Sequence, residues 1–246
     1  MGLYVWIYWE GTAPEWIKKC RESIFAHAPN VCLISPESFA ELRDIDTDID
    51  LSGLYVAHRA DYIRAFLLAR YGGIWIDADC MLMRSIEPLI DSLKHYDFMG
   101  YRERSGEVTN NFMGAPEGSF IARKYYNTVC DILRSGQKLE WLTIGSKALT
   151  ATINESGLPW HELDVMQVQP ICWSNPQAFF KKGSYNEHDE AFEDDAYSYM
   201  LSGNMVRGVV EKDAGQDLLA DGTFFNFLLV RSKTNIANNG QLIYRN

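Results

Sequence analysis

Apolar residues along this chain fall into short solid blocks that alternate with stretches of helical periodicity. Residues 3–9 (LYVWIYW) form an unbroken aromatic and β-branched run closed by Glu10-Gly11-Thr12, the pattern of a buried strand. Trp16, Cys20, Ile24 and His27 then recur at helical spacing, with Thr12 as the expected N-cap, Pro14 near the first turn and Pro29-Asn30 as the stop. Residues 31–34 predict a second strand and 36–43 a helix, followed by an acidic connection over 44–50 that lacks the Gly and terminal Glu of a calcium loop. A helix over 54–71 ends at Gly72-Gly73 and leads into the strand Ile74-Trp75-Ile76, which runs into Asp77-Ala78-Asp79. Farther on the pattern predicts helices over 86–95, 118–134 and 144–156, strands over 97–101 and 110–115, an extended stretch over 165–173 and a polar loop over 183–196. Strand and helix alternate, so the expected fold is α/β with a mainly parallel central sheet, in one domain over 1–246.

Charge and cysteine usage narrow the classes. Lys and Arg number 23 against 33 Asp and Glu, a net charge of −10, which disfavours a nucleic-acid partner or a general affinity for anionic membranes. An anionic ligand therefore needs local help from a placed Arg, a helix N-terminus or a cation. The five cysteines are widely spaced with no C-x-x-C pair, which fits a reducing cytoplasm better than a disulfide framework or a zinc site. No export or lipid signal and no apolar run near the ~20 residues of a membrane span is visible, so any work at a membrane is expected to be a peripheral visit.

The chemistry concentrates between residues 61 and 79. Residues two apart on a strand share a face, so an extended Asp77-Ala78-Asp79 presents two carboxylates about 6–7 Å apart. At an effective dielectric near 20 they repel by about 2.5 kcal/mol when both are ionised, which a hard divalent cation would relieve. The bland alternative has one Asp capping a turn and the other solvated. Asp61 and Arg64 stand at i and i+3 on the preceding helix, either as a plain ion pair or as ligand-binding groups near the carboxyl end of the strand, where open α/β sheets bind ligands.

The stretch HRADYIRAFLLARYGGIWIDAD resembles the A-x-D-x-x-R…GG-[IV]-[YW]-x-D-x-D signature of glycosyltransferases with a D-x-D sugar-binding region. That signature is shared by glycosyltransferase family 32 and bacterial capsular polysaccharide synthesis proteins, and is similar to the core of clostridial glucosylating toxins. The resemblance implies a GT-A fold, a nucleotide-sugar donor, UDP-linked, and a glycan or lipid-linked saccharide acceptor. It implies that Asp61 and Arg64 bind the donor sugar and diphosphate, that Asp77 contacts ribose, sugar or metal through water, and that Asp79 ligates Mn²⁺ (or Mg²⁺). The opening VWIYWEG resembles the family's first strand, which would set Val5 and Trp6 at the nucleotide base; Trp6 as plain core is the competing reading. Ala78 would lie in the donor site between the two carboxylates. NNFMGAPEGSF and TIGSKALT resemble later family segments, the first placing Asn111 at the donor sugar and the second carrying Ser146 in place of a family Pro. Near the C-terminus, where the family carries a His-containing or Ser-x-Trp motif, this chain has YMLSGN, so Ser202 or Asn204 is the candidate further metal ligand, or simply part of a polar turn.

These features predict a metal-dependent, retaining transferase that works by positioning and electrostatics, with no evident enzymatic nucleophile. Two rivals remain at this level. An Asp-nucleophile phosphohydrolase leaves Asp61, Arg64 and the double glycine unexplained, and a degenerate nucleotide-sugar or glycan binder is suggested by the missing C-terminal motif. Acidic residues in 183–196 with Trp160, Trp173, Phe179 and Phe180 either border an acceptor cleft or pack the core.

Overall fold

The computed structural model describes residues 3–43 and 48–238, so part of the acidic connection expected over 44–50 lies outside the described residues. The chain gathers into two compact units. One comprises Met1–Gly11, Asn30–Asp77 and Glu87–Asp164, the other Thr12–Pro29, Ala78–Ile86 and Val165–Asn246.

The first unit is built on β1 (Val5–Tyr8), β2 (Val31–Ile34), β3 (Gly73–Ile76), β5 (Met99–Tyr101), β6 (Phe112–Ala115) and β7 (His161–Leu163). Among the described residues these form one sheet in the order β2-β1-β3-β6-β5-β7. The pairs β1–β2, β1–β3 and β5–β7 are parallel, and only β6 runs against its neighbours β3 and β5. The expected α/β architecture with a mainly parallel sheet is therefore what the chain adopts. β1 and β3 are buried at every position, as solid apolar runs in parallel sheets are.

Helices α2 (Pro36–Leu42), α3 (Val56–Tyr71), α4 (Glu87–Ser92), α5 (Phe120–Arg134) and α6 (Ala148–Ser156) complete this unit. α2 starts with a reciprocal cap between Ser35 and Ser38 and has Pro36 at its first position. α3 carries little amphipathic signal because both its sides are enclosed, Tyr62, Leu67 and Leu68 among them, and α5 packs along it. It ends at Gly72 and Gly73, whose φ values of 64° and 106° turn the chain directly into β3. A Cβ on Gly73 would meet Trp6 Nε1 at 2.8 Å, so glycine is required there.

The second unit holds α1 (Glu15–His27), β4 (Cys80–Leu82), α7 (Val165–Val168), α8 (Gln177–Phe180), β8 (Ser198–Met200), α9 (Gly203–Lys212) and α10 (Phe224–Asn238). β4 and β8 pair antiparallel. The Leu82 N–H donates to Ser23 Oγ at 2.9 Å and the Leu82 carbonyl accepts from Ser232 Oγ at 2.8 Å, so side chains of α1 and α10 satisfy β4 beyond its partner strand. Phe179, Tyr199, Phe224 and Phe225 are fully enclosed in this unit's core.

Several sequence expectations change. Pro14, not Thr12, occupies the N-cap position of α1. Residues 165–168 form a helical turn rather than an extended run, and the short strands β4, β7 and β8 exist through pairings with distant partners. Phe179 and Phe180 are core, whereas Trp173 is exposed. Among the described residues no helix is long and apolar enough to cross a membrane.

Candidate active site

In the first unit, α3 delivers Asp61 and Arg64 and the end of β3 delivers Asp77 to one cluster. Arg64 Nη1 lies 3.3 Å from Asp61 Oδ1 and Nη2 lies 3.0 Å from Asp77 Oδ1, so one guanidinium joins two carboxylates. Nη1 also donates to the Asn110 carbonyl at 2.9 Å, and the guanidinium carbon sits 5.0 Å from the centre of the Trp75 ring. Trp75 and Asp77 are two apart, and the indole N–H donates to Asp77 Oδ1 at 2.6 Å. Asp61 and Arg64 are each 6% exposed, whereas Asp77 keeps an open side.

Burial pushes the Asp61 carboxyl above the usual carboxylate range, against the pull of Arg64 and of the Asn110 amide that donates to its Oδ1 at 2.7 Å. Burial likewise raises Asp77, opposed by Arg64 and then by the Trp75 N–H. Two carboxylates share one guanidinium, so the cluster is short of positive charge when both are ionised.

Asn110 extends the cluster. Its Nδ2 lies 3.4 Å from the Tyr125 hydroxyl, which donates to the Ile144 carbonyl at 2.9 Å. Next in the chain is Gly145, in a π-turn over Thr143–Lys147, with φ −91° and ψ −118°. A Cβ there would stand 2.9 Å from Asn110 Nδ2 and 3.2 and 3.3 Å from the Asp61 oxygens. The TIGSKALT segment thus serves to bring bare backbone against Asp61. The family-like segment points to Asn111, whereas Asn110 and Tyr125 join this cluster, and no local pattern in the sequence pairs them.

Asn111 has a different place. Its Oδ1 accepts from the hydroxyls of Tyr101 at 2.9 Å and Thr109 at 3.0 Å, and its carbonyl accepts the Asp77 N–H at 2.8 Å. Two donors on one oxygen fix the amide plane and leave the NH₂ as the group offered to a ligand. Val5 is fully buried, and Trp6 is 4% exposed with its indole N–H donating to the Gly72 carbonyl at 2.8 Å, so both side chains pack inside the sheet layer, the plain-core placement for Trp6. Ala78 is likewise buried.

The D-x-D pair is not on one strand face. Residues 77–79 lie in a turn between β3 and β4, and Asp77 closes a segment of the first unit while Ala78 and Asp79 open one of the second. β3 ends at Ile76, so Asp77 and Asp79 do not follow the same-face spacing of one strand. In the second unit Asp79 Oδ2 accepts the Gly203 N–H at 2.5 Å at the start of α9, and the Asp79 carbonyl accepts from Leu201. This holds the YMLSGN segment at Asp79. Ser202 has a left-handed backbone (φ 58°) and makes no side-chain cap, and Asn204 is exposed in the first turn of α9. Among the described residues no group of three or more His, Cys, Asp or Glu stands ready for a metal ion. Asp79 is partly exposed, and the segment its carboxylate holds through Gly203 carries Ser202 and Asn204.

The model of the capsular polysaccharide synthesis protein family matches residues 2–138. The chain belongs to that family. It is 37% identical over 87 residues to the O-glycosyltransferase PaGT of Phomopsis amygdali, a match spanning 32% of this chain and 21% of that protein. It is 38% identical over 64 residues to inositol phosphoceramide mannosyltransferase 3 of Schizosaccharomyces pombe, spanning 26% and 17%. It thus matches about a fifth of the length of these fungal relatives. Among solved structures, the galactosyltransferase LgtC aligns over 98% of both chains at 9% identity with a TM-score of 0.45, and the PaToxG glycosyltransferase over 63% of this chain and 70% of its own at 15% identity and 0.47.

Proposed function

We propose that this protein is a glycosyltransferase that moves a sugar from a UDP-linked donor to a hydroxyl of a glycan or lipid-linked saccharide, retaining the anomeric configuration. The observation that carries the reading is the enclosed Asp61–Arg64–Asp77 cluster, joined by one guanidinium and backed by Asn110, on the residues that bear the family signature. Its relatives named for sugar transfer support the same class.

Within the first unit the fork of Arg64 is spent on Asp61, Asp77 and the Asn110 carbonyl, so it orients the two carboxylates rather than reaching out to a phosphate. Asp77 and the Asn111 NH₂ are the groups offered to the donor's ribose and sugar hydroxyls. Asp79 would hold a divalent cation, Mn²⁺ or Mg²⁺, with Ser202 and Asn204 as candidate further oxygen donors, and the backbone amide of Gly203 fixes the carboxylate. When bound, the cation offsets the charge of the leaving nucleoside diphosphate in a protein of net charge −10. The protein's part is positioning and electrostatics; the acceptor hydroxyl attacks from the face the diphosphate leaves, and a diphosphate oxygen takes its proton.

NMR of a panel of UDP-, GDP- and dTDP-sugars, with Mn²⁺ and with EDTA, tests this directly. Consumption of a UDP-sugar only with metal, releasing or transferring sugar of unchanged anomeric configuration, is the expected result. A metal-independent phosphate release with no sugar transfer would replace this reading with a phosphohydrolase.

A further inference from the structure

A second feature of the first unit lies at the other end of α3 from the glycine turn. Tyr55, at the N-cap position, and Trp141 are 56% and 52% exposed, and their ring centres lie 5.9 Å apart at 56°. Exposed aromatics of this size are costly to leave in water without use. Trp141 is not on a loose loop. The Thr143 N–H donates to the Glu140 carbonyl at 3.1 Å, the Glu140 N–H donates to Thr143 Oγ1 at 2.9 Å, and Lys147 pairs with Glu140 at 2.8 Å. His58 Nε2 donates to the same Glu140 carbonyl at 3.2 Å, tying this turn to α3.

Beside Tyr55 opens a cleft of about 340 Å³, at the lower end of the range for small-molecule sites. Among the described residues its lining includes Gly53, Tyr55, His58, Leu133, Gly136 and Gln137, and no Asp, Glu, Lys or Arg. A Cβ at Gly53 or Gly136 would meet nothing within 4 Å, so the space above both is open. One lining residue, His58, is one turn from Asp61 on α3 and close enough to act on its ionisation, and the turn bearing Trp141 leads in the chain to Gly145 against Asp61.

We propose that this cleft is the acceptor-side subsite, binding a neutral pyranose whose apolar ring face stacks on Tyr55 and Trp141 while its hydroxyls meet Gln137 and His58. The aromatic face of Tyr55 and Trp141 with the polar edge of Gln137 and His58 is the chemistry of a sugar, and among the described residues the lining offers no cation to a phosphate-bearing nucleotide. The assignment rests on the transferase reading for its acceptor role, whereas saccharide binding itself does not.

The test is NMR of the intact protein, following the Trp141 indole N–H resonance, assigned by its loss in Trp141→Ala. The probes are α- and β-methyl pyranosides of glucose, galactose, mannose and N-acetylglucosamine, with UMP as control. At least one pyranoside should shift the resonance saturably, and UMP should not. Gly53→Phe, which adds a ring into open space, should weaken that pyranoside about ten-fold or more, while Trp141→Phe, which keeps a ring, should weaken it only a few-fold. No pyranoside shift, an undiminished affinity in Gly53→Phe, or a shift by UMP alone overturns the subsite. Donor consumption by a protein whose Trp141 ignores every pyranoside sinks this inference alone. Pyranoside binding at Trp141 in a protein that consumes no donor sinks the transferase reading and leaves a saccharide site.

Discussion

Arg64 Nη2 stands 3.0 Å from Asp77 Oδ1 while the same guanidinium reaches Asp61 at 3.3 Å, so a residue one turn along a helix from one carboxylate neutralises a second one at the end of a strand. This bridge makes Arg64 the counter-charge that both carboxylates share. Arg64→Ala leaves the enclosed Asp61 and the half-buried Asp77 without a counter-charge and should cost about 3 kcal/mol in urea unfolding. Arg64→Lys keeps the charge without the fork, so it should retain the fold and lose sugar transfer by about 10²-fold. Wild-type transfer in Arg64→Lys would remove the bridge from the mechanism.

Asp61 should show a trade between stability and activity. Burial holds its carboxyl above the ordinary pKa, so from about pH 4 upward the unfolded chain releases the proton before the folded one does. Its contribution to stability therefore falls as pH rises through the folded value. Asp61→Asn removes that penalty, and the difference in Tm between variant and wild type should shift in the variant's favour from about pH 4 to pH 7. Transfer should be lost throughout. A pH-independent difference in Tm would contradict the buried-charge account.

Gly145→Ala tests the contact between bare backbone and Asp61. The new methyl would stand 2.9 Å from Asn110 Nδ2 and 3.2 Å from an Asp61 oxygen, so the cluster has to move. A loss of about 1–3 kcal/mol in the urea midpoint is expected, together with reduced transfer.

Asp79→Asn keeps an oxygen for the Gly203 N–H and removes the charge that a cation takes. Thermal unfolding should be little changed, and metal-dependent transfer should fall by about 10²-fold or more. Normal activity in this variant would end the assignment of Asp79 to the metal.

In the second unit His27 offers a separate pH signature. It is buried, its Nε2 donates to the Ser232 carbonyl at 3.2 Å, and burial lowers its pKa. The unfolded chain takes up this proton first as pH falls below about 6.5, so the stability His27 contributes is complete above that value and is lost as pH falls through the folded pKa. His27→Gln should flatten the slope of Tm against pH between about 6.5 and 5. An unchanged slope would assign that pH dependence to other groups.

The sequence by itself determined the long elements of the first unit and the pairing of Asp61 with Arg64. Solid apolar runs at Val5–Tyr8 and Gly73–Ile76 suit inner, fully buried strands, and an i, i+3 pair on α3 must share a face whatever the rest of the chain does. Such facts follow from backbone geometry within one element. Tertiary structure alone decided which distant partner reaches each group. Asn110 rather than Asn111 meets Asp61 across 49 residues, Gly203 meets Asp79 across 124, and β3 stops at Ile76, short of the extended run that would have set Asp77 and Asp79 side by side. Trp6 became core because packing enclosed it, although an aromatic at that position suits a base equally well on paper. The aromatic pair at Tyr55 and Trp141 was invisible for the same reason. Local periodicity encodes which face a side chain takes, and only the packed chain sets what stands opposite that face.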